Sequence, residues 1–190
     1  MNTTLSAGFA DPVRDAQRCF RAVLDAMARP GTPHRVGGVR PPAPLSAAAA
    51  AVLLSLVDHE TPLWVDAALH AANPWIAFHC GAPMADPARA AFAVAAGLPD
   101  LMQLHPGGHE SPEASCTAIV QLGALSAGRR FRLSGPGLRE PRVVAIEGLP
   151  DDFAAIWQRN HALFPRGVDL ILCAGDTLTA LPRSVAIEEA

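Results

Sequence analysis

"DLILCAG", residues 169–175, decides the fold class. Leu170, Ile171, Leu172 and Cys173 follow one another without the polar alternation of a half-solvated strand. Such a run predicts a strand covered on both faces. "CTAIVQL" (116–122) has the same character, and "PLWVD" (62–66), "WIAFHC" (75–80), "AFAV" (91–94), "RFRL" (130–133) and "RVVAIE" (142–147) supply further strand-like runs. Between and before them lie helices. Asp11 is placed to cap one, Pro12 suits its first position, and Pro30-Gly31 stops it after Arg29. Val13, Ala16, Phe20, Val23 and Met27 recur at helical spacing and form its expected apolar face, with Arg14, Asp15, Arg18, Arg21 and Asp25 on the other. Ser46 caps "AAAAAVLLSLV" (47–57), apolar nearly all round and hence expected to be buried. Residues 86–90 and 150–163 complete the helices, the latter with Phe153, Ile156, Trp157 and Leu163 to one side. This mixture predicts a single-domain, layered α/β sandwich over residues 1–190, with a mixed central sheet flanked by helices. Residues 1–7 and 185–190 are expected to be mobile ends.

Composition narrows the function. With a net charge of −3 and only 17% charged residues, the chain has no electrostatic basis for binding nucleic acid. All 15 positive residues are arginine. Without lysine no aldimine forms, which excludes pyridoxal-phosphate and class I aldolase chemistry. The start of the chain has no signal-peptide pattern, and the apolar run at 47–57 is too short to span a bilayer. Cys19, Cys80, Cys116 and Cys173 are scattered without a C-x-x-C pair, as buried small hydrophobes of a cytoplasmic protein.

Three stretches carry candidate chemistry. In "RRFRLSGPGL" (129–138), arginines run into a Gly-Pro-Gly turn. This is either a cradle for a phosphate-like anion or a half-buried strand ending in a turn, with Arg130 and Arg132 on one face, Phe131 and Leu133 on the other, and Pro136 removing one donor. His105, His109 and Glu110 are candidate metal ligands, yet Pro106-Gly107-Gly108 denies them a shared helix face and no second cluster completes a site, so a flexible polar loop is expected. His79 and Cys80 end an expected strand, where neighbours point to opposite faces and make no dyad. Nucleophile-elbow, dinucleotide and phosphate-loop patterns are absent. No catalytic residue and no metal ligand set is assigned.

The four segments "GFADPVRDAQRCFRAVLDAMARPG", "FHCGAP", "LSGPGL" and "FPRGVDLILCAGDTLTALPRS" occur in that order over roughly residues 8–184. Together they resemble the PhnH family, the H subunit of the bacterial carbon–phosphorus lyase core complex. The resemblance implies a cytoplasmic role in phosphonate degradation, beside the G, I and J subunits. That machinery joins an alkylphosphonate to the ribose of ATP, displacing adenine, before the carbon–phosphorus bond is broken. It also implies an architectural rather than catalytic chain and a fold resembling pyridoxal-phosphate transferases without the cofactor; the partly apolar surfaces expected of such a subunit would pair as a homodimer in isolation. The alternative is a stand-alone phosphonate- or nucleotide-binding protein or hydrolase. Asp11, Gln17, Arg21, Gly81 and Asp169 fall on family-motif positions, and His79, Arg132, Gly135, Gly137 and Arg183 are the candidates for anion or ligand binding. Where family members often carry threonine, this chain has Cys80. No nucleic-acid or membrane partner is expected.

Overall fold

The computed structural model describes residues 6–190; of the stretch 1–7 expected to be mobile, residues 1–5 lie outside them, while the Ser6 carbonyl accepts from Trp75 Nε1. In chain order the elements are α1 (Pro12–Ala28), β1 (His34–Arg35), α2 (Ala47–Leu56), β2 (Leu63–Val65), α3 (Asn73–Cys80), β3 (Phe92–Ala96), β4 (Thr117–Gln121), β5 (Ala124–Ser134), β6 (Arg142–Glu147), α4 (Phe153–His161), β7 (Asp169–Ala174), β8 (Thr177–Leu181) and β9 (Ala186–Glu189). A six-stranded sheet runs β1-β8-β7-β4-β3-β2, and a three-stranded sheet runs β6-β5-β9. In the larger sheet β2, β3, β4 and β7 are parallel, while β8 and β1 join antiparallel at one edge. This is the expected mixed α/β sandwich.

The continuous apolar runs are explained by what covers them. Val94, Ile119, Ile171 and Cys173 face one core together with α1, α2 and α3. Their neighbours Ala93, Ala118, Val120, Leu170 and Leu172 face a second core beneath α4 and the small sheet. A strand between two cores has no polar face to show.

Four expectations are corrected. Residues 75–80 form helix α3, not a strand. Pro74 suits a helix start, and Gly81 closes it in the left-handed conformation, with its N–H donating to the Ala77 carbonyl. Trp75, Ile76 and Cys80 are buried while Ala77 and Phe78 are exposed, a helical rather than an alternating pattern. Residues 86–90 make only a short 3-10 turn at Pro87–Arg89. At the other end of the chain, Ala186–Glu189 are not loose: they pair with Phe131–Ser134 of β5 and bury Ile187.

The largest correction concerns α1. Its ends match expectation, with the Asp11 side chain accepting from the Arg14 N–H. Its orientation does not. The buried face is Asp15, Cys19, Val23 and Ala26, leaving Val13, Phe20 and Leu24 79%, 45% and 53% exposed. The reason is size. α2 presents Ala48–Ala51, all fully buried, and Cys19 sits beside Ser55 of α2. A face of small residues packs closely there, and the bulky stripe is turned outward.

Candidate functional site

The candidates drawn from sequence do not converge on one place. Arg183 begins just after β8 and acts as a brace. Its Nη1 donates to the Pro112 carbonyl at 2.8 Å, the Gly167 carbonyl at 2.9 Å and the Ser115 hydroxyl, and its Nη2 lies 3.0 Å from Asp169 Oδ2. Its backbone N–H donates to Asp169 Oδ1 at 2.7 Å. Burial pushes the Asp169 carboxyl upward against the pull of Arg183. With four acceptors around it, this guanidinium holds loops together and offers no open face to an anion.

Arg132 lies on the exposed side of β5, directly opposite Glu188 of β9. Gly135 and Gly137 form the turn beyond it. A Cβ at Gly137 would collide with the carbonyl oxygen of Ala28 at the end of α1, so the glycine serves close backbone packing. The phosphate-cradle reading of 129–138 is therefore set aside: the stretch is a strand and a packed turn. His79 also has a structural partner. Its Nε2 is 3.0 Å from the Ser6 carbonyl, which also accepts from Trp75 Nε1 at 2.8 Å, and its ring lies against Trp75 at 4.6 Å. It pins the segment leading into α1.

The remaining stretches are likewise accounted for. His105 Nδ1 is bonded to the Ala114 carbonyl at 2.9 Å, and the Gly167 N–H donates to the Pro106 carbonyl at 2.8 Å. The 105–115 loop is thus tied down rather than free, while His109 and Glu110 are exposed. No group of three or more His, Cys, Asp or Glu gathers among the described residues. Burial pushes all four thiols up, Cys80 to about 11 and Cys116 to about 12, which leaves none as a ready thiolate. Of the motif positions, Asp11 caps α1, Gly81 ends α3, Asp169 holds Arg183, and Gln17 and Arg21 are exposed on α1.

A cleft at the carboxyl-terminal edge of the large sheet was not among the sequence candidates. It measures about 350 Å³ and is lined by Asp15, Arg18 and Cys19 of α1, Arg35 of β1, the loop Val36-Gly37-Gly38, and Asp176. Asp176 follows the carboxyl end of the parallel strand β7, the edge where ligands gather in open α/β sheets. Two ion pairs frame the cleft. Arg18 Nη2 donates to Asp15 Oδ1, and Arg35 Nε donates to Asp176 Oδ2 at 2.7 Å. The Asp11 N–H and Arg18 hold the Asp15 carboxyl below its ordinary range, and Arg35 does the same for Asp176. Gly38 has φ +85°, a conformation suited to glycine, and lies close enough that a Cβ there would be 3.4 Å from Asp15 Oδ2. A sequence signal existed in "RVGG" (35–38), an arginine beside two glycines. Asp15 gave none, because its helical phase placed it with the solvent-facing charges.

A second feature is the outward side of α1. Val13, Gln17, Phe20 and Leu24 all lie on it, one above another at helical spacing. Among the described residues no helix is long and apolar enough to cross a membrane.

The family model described as "Bacterial phosphonate metabolism protein (PhnH)" matches residues 7–188. A Rhizobium meliloti (strain 1021) protein named "Alpha-D-ribose 1-methylphosphonate 5-triphosphate synthase subunit PhnH" is 43% identical over 190 residues, covering 96% of this chain and 95% of the relative. A Stutzerimonas stutzeri protein named "Putative C-P lyase subunit protein HtxG" is 32% identical over 173 residues, covering 90% of this chain and 85% of the relative.

Proposed function

The chain belongs to the PhnH family of bacterial phosphonate metabolism proteins, and on that premise we propose that it is a subunit of the assembly that converts ATP and an alkylphosphonate into a ribose 1-alkylphosphonate 5-triphosphate, upstream of carbon–phosphorus bond cleavage. Both relatives carry the word subunit in their names. The observation on this chain that carries the reading is the outward apolar stripe of α1. A helix that keeps Val13, Phe20 and Leu24 in water while burying an aspartate has an unfavourable surface, and a protein partner removes it. The partners proposed are the G, I and J subunits of the lyase core, in the cytoplasm. In isolation the same stripe favours a homodimer about a two-fold axis.

In this account the chain is architectural. Its buried thiols and engaged Arg183 supply no nucleophile–base pair, and it carries no pyridoxal phosphate because it has no lysine to hold one. Kinship with the pyridoxal-phosphate transferase fold is part of the same proposal and rests on the family resemblance alone. Co-expression with the G, I and J subunits, followed by size-exclusion chromatography, tests the reading. Co-elution in a fixed ratio is the expected result; elution of this chain by itself contradicts it. The Arg18–Arg35 cleft favours a second reading, that the chain also binds a small ligand of its own.

A further inference from the structure

We propose that the cleft between α1, β1 and the turn after β7 is a binding site for a tetrahedral phosphorus oxyanion, held by the guanidinium groups of Arg18 and Arg35 and the loop Gly37-Gly38. The proposal goes beyond the subunit reading and does not depend on it.

Three features converge. First, each arginine is anchored by one donor only. Arg35 gives its Nε to Asp176, which leaves both terminal amino groups; Arg18 gives Nη2 to Asp15, which leaves Nη1 and Nε. None of these remaining donors meets an acceptor among the described residues. Guanidinium N–H groups are suited to two-pronged hydrogen bonds with phosphate-like oxygens. Arg18 and Arg35 are 78% and 84% exposed, so each carboxylate steers its arginine toward the cleft without locking it.

Second, Asp15 is a charged side chain only 5% exposed on a helix face otherwise made of Cys19, Val23 and Ala26. Its carboxylate takes the Asp11 N–H on one oxygen and Arg18 on the other. It therefore serves two ends at once, closing the helix start through the Asp11 N–H and holding an arginine at the rim of the cleft.

Third, the backbone N–H groups of Gly37 and Gly38 donate to no protein acceptor among the described residues, and the glycines carry no side chain to block access to them. Free consecutive amides beside arginines are a recognised anion-binding element. A Cβ on Gly37 would approach Asp176 at 3.9 Å and one on Gly38 would approach Asp15 at 3.4 Å, so the loop bridges the two ion pairs. The two aspartates offset the charge of the two arginines, which makes the site one of hydrogen-bond geometry rather than raw potential, and affinity is expected in the millimolar to high-micromolar range.

One chemistry fits two sources, a free phosphonate or phosphate and the phosphoryl tail of a nucleotide. The test is titration of the purified full-length chain, by calorimetry and amide chemical shifts, with methylphosphonate, inorganic phosphate and ATP in separate arms. Saturable binding of at least one ligand is expected, weakened about tenfold or more in Arg18→Gln and in Arg35→Gln. Arg132→Gln, on the exposed face of β5, should bind like the parent. Comparable binding of methylphosphonate and phosphate identifies a simple oxyanion site; much tighter binding of ATP identifies a nucleotide tail. Absence of saturable binding in all three arms overturns the proposal. So does binding that survives both substitutions, or that Arg132→Gln abolishes equally. Melting curves of each variant separate loss of the site from loss of the fold. Co-elution with partner subunits is a separate readout, so either reading can fail without the other.

Discussion

The two ends of β7 carry the same pair of residue types in opposite circumstances. At its start Asp169 and Arg183 are 16% and 17% exposed, and the arginine is surrounded by acceptors. Just past its end Asp176 and Arg35 are 43% and 84% exposed, and the arginine has a single bond. An Arg–Asp pair is not one thing. Where the guanidinium is saturated it fastens loops; where it is merely steered it keeps donors for something else. The family resemblance pointed to Arg132 and Arg183, whereas the two arginines that frame the cleft are Arg35 and Arg18, each holding a single hydrogen bond.

Arg183→Ala leaves Asp169 buried without its partner and frees the Pro112 and Gly167 carbonyls, and a loss of about 3–5 kcal/mol is expected in denaturant unfolding. Arg35→Gln, by contrast, should leave the unfolding midpoint close to that of the parent. Equal losses at the two sites would dissolve the distinction.

Next in size is Asn160, buried beneath β7. Its side chain donates to the Val168 carbonyl at 2.9 Å and accepts from the Val168 N–H at 2.8 Å. Asn160→Ala orphans both groups, and about 1–3 kcal/mol is expected by the same measurement. An effect near zero would mean that the approach to β7 is not held from this side.

The smallest effect is in acid. The Asp176 carboxyl is lowered by the hydrogen bond from Arg35. A group lowered on folding stabilises the native state above its unfolded value of about 3.9, and that contribution is lost as pH falls through the folded value. Asp176→Asn should therefore flatten the acid side of the stability profile. Asp169, raised by burial, has the opposite sign: its ionisation opposes folding as pH climbs from its unfolded to its folded value. Profiles of the two asparagine variants bending in the same direction would contradict the assignment.

Much of the architecture was legible because apolar runs and caps are local signals. Asp11, Pro12 and Ser46 announced their helices, and the runs at 116–122 and 169–175 announced strands between two cores. The misreadings came where neighbours decide. "WIAFHC" has strand-like residues, but Pro74 and Gly81 bracket a helix that buries Trp75 and Ile76. β9 is polar and short, and only its pairing with β5 makes it a strand. α1 carries two apolar stripes, and the alanines of α2 chose the smaller one. That choice buried Asp15, exposed Phe20, and thereby created both the cleft and the outward face. Neither is visible in the periodicity of α1 alone. The family, by contrast, was legible from the order of four motifs.

The account rests on α1 as the face that meets partner subunits. The direct measurement is the co-expression and size-exclusion assay with the G, I and J subunits, repeated on a Phe20→Asp/Leu24→Asp variant. Both side chains are about half exposed, so the variant should melt like the parent. The predicted result is a folded chain that no longer co-elutes. A folded double variant that co-elutes in the parent ratio would contradict the placement of the interface on α1.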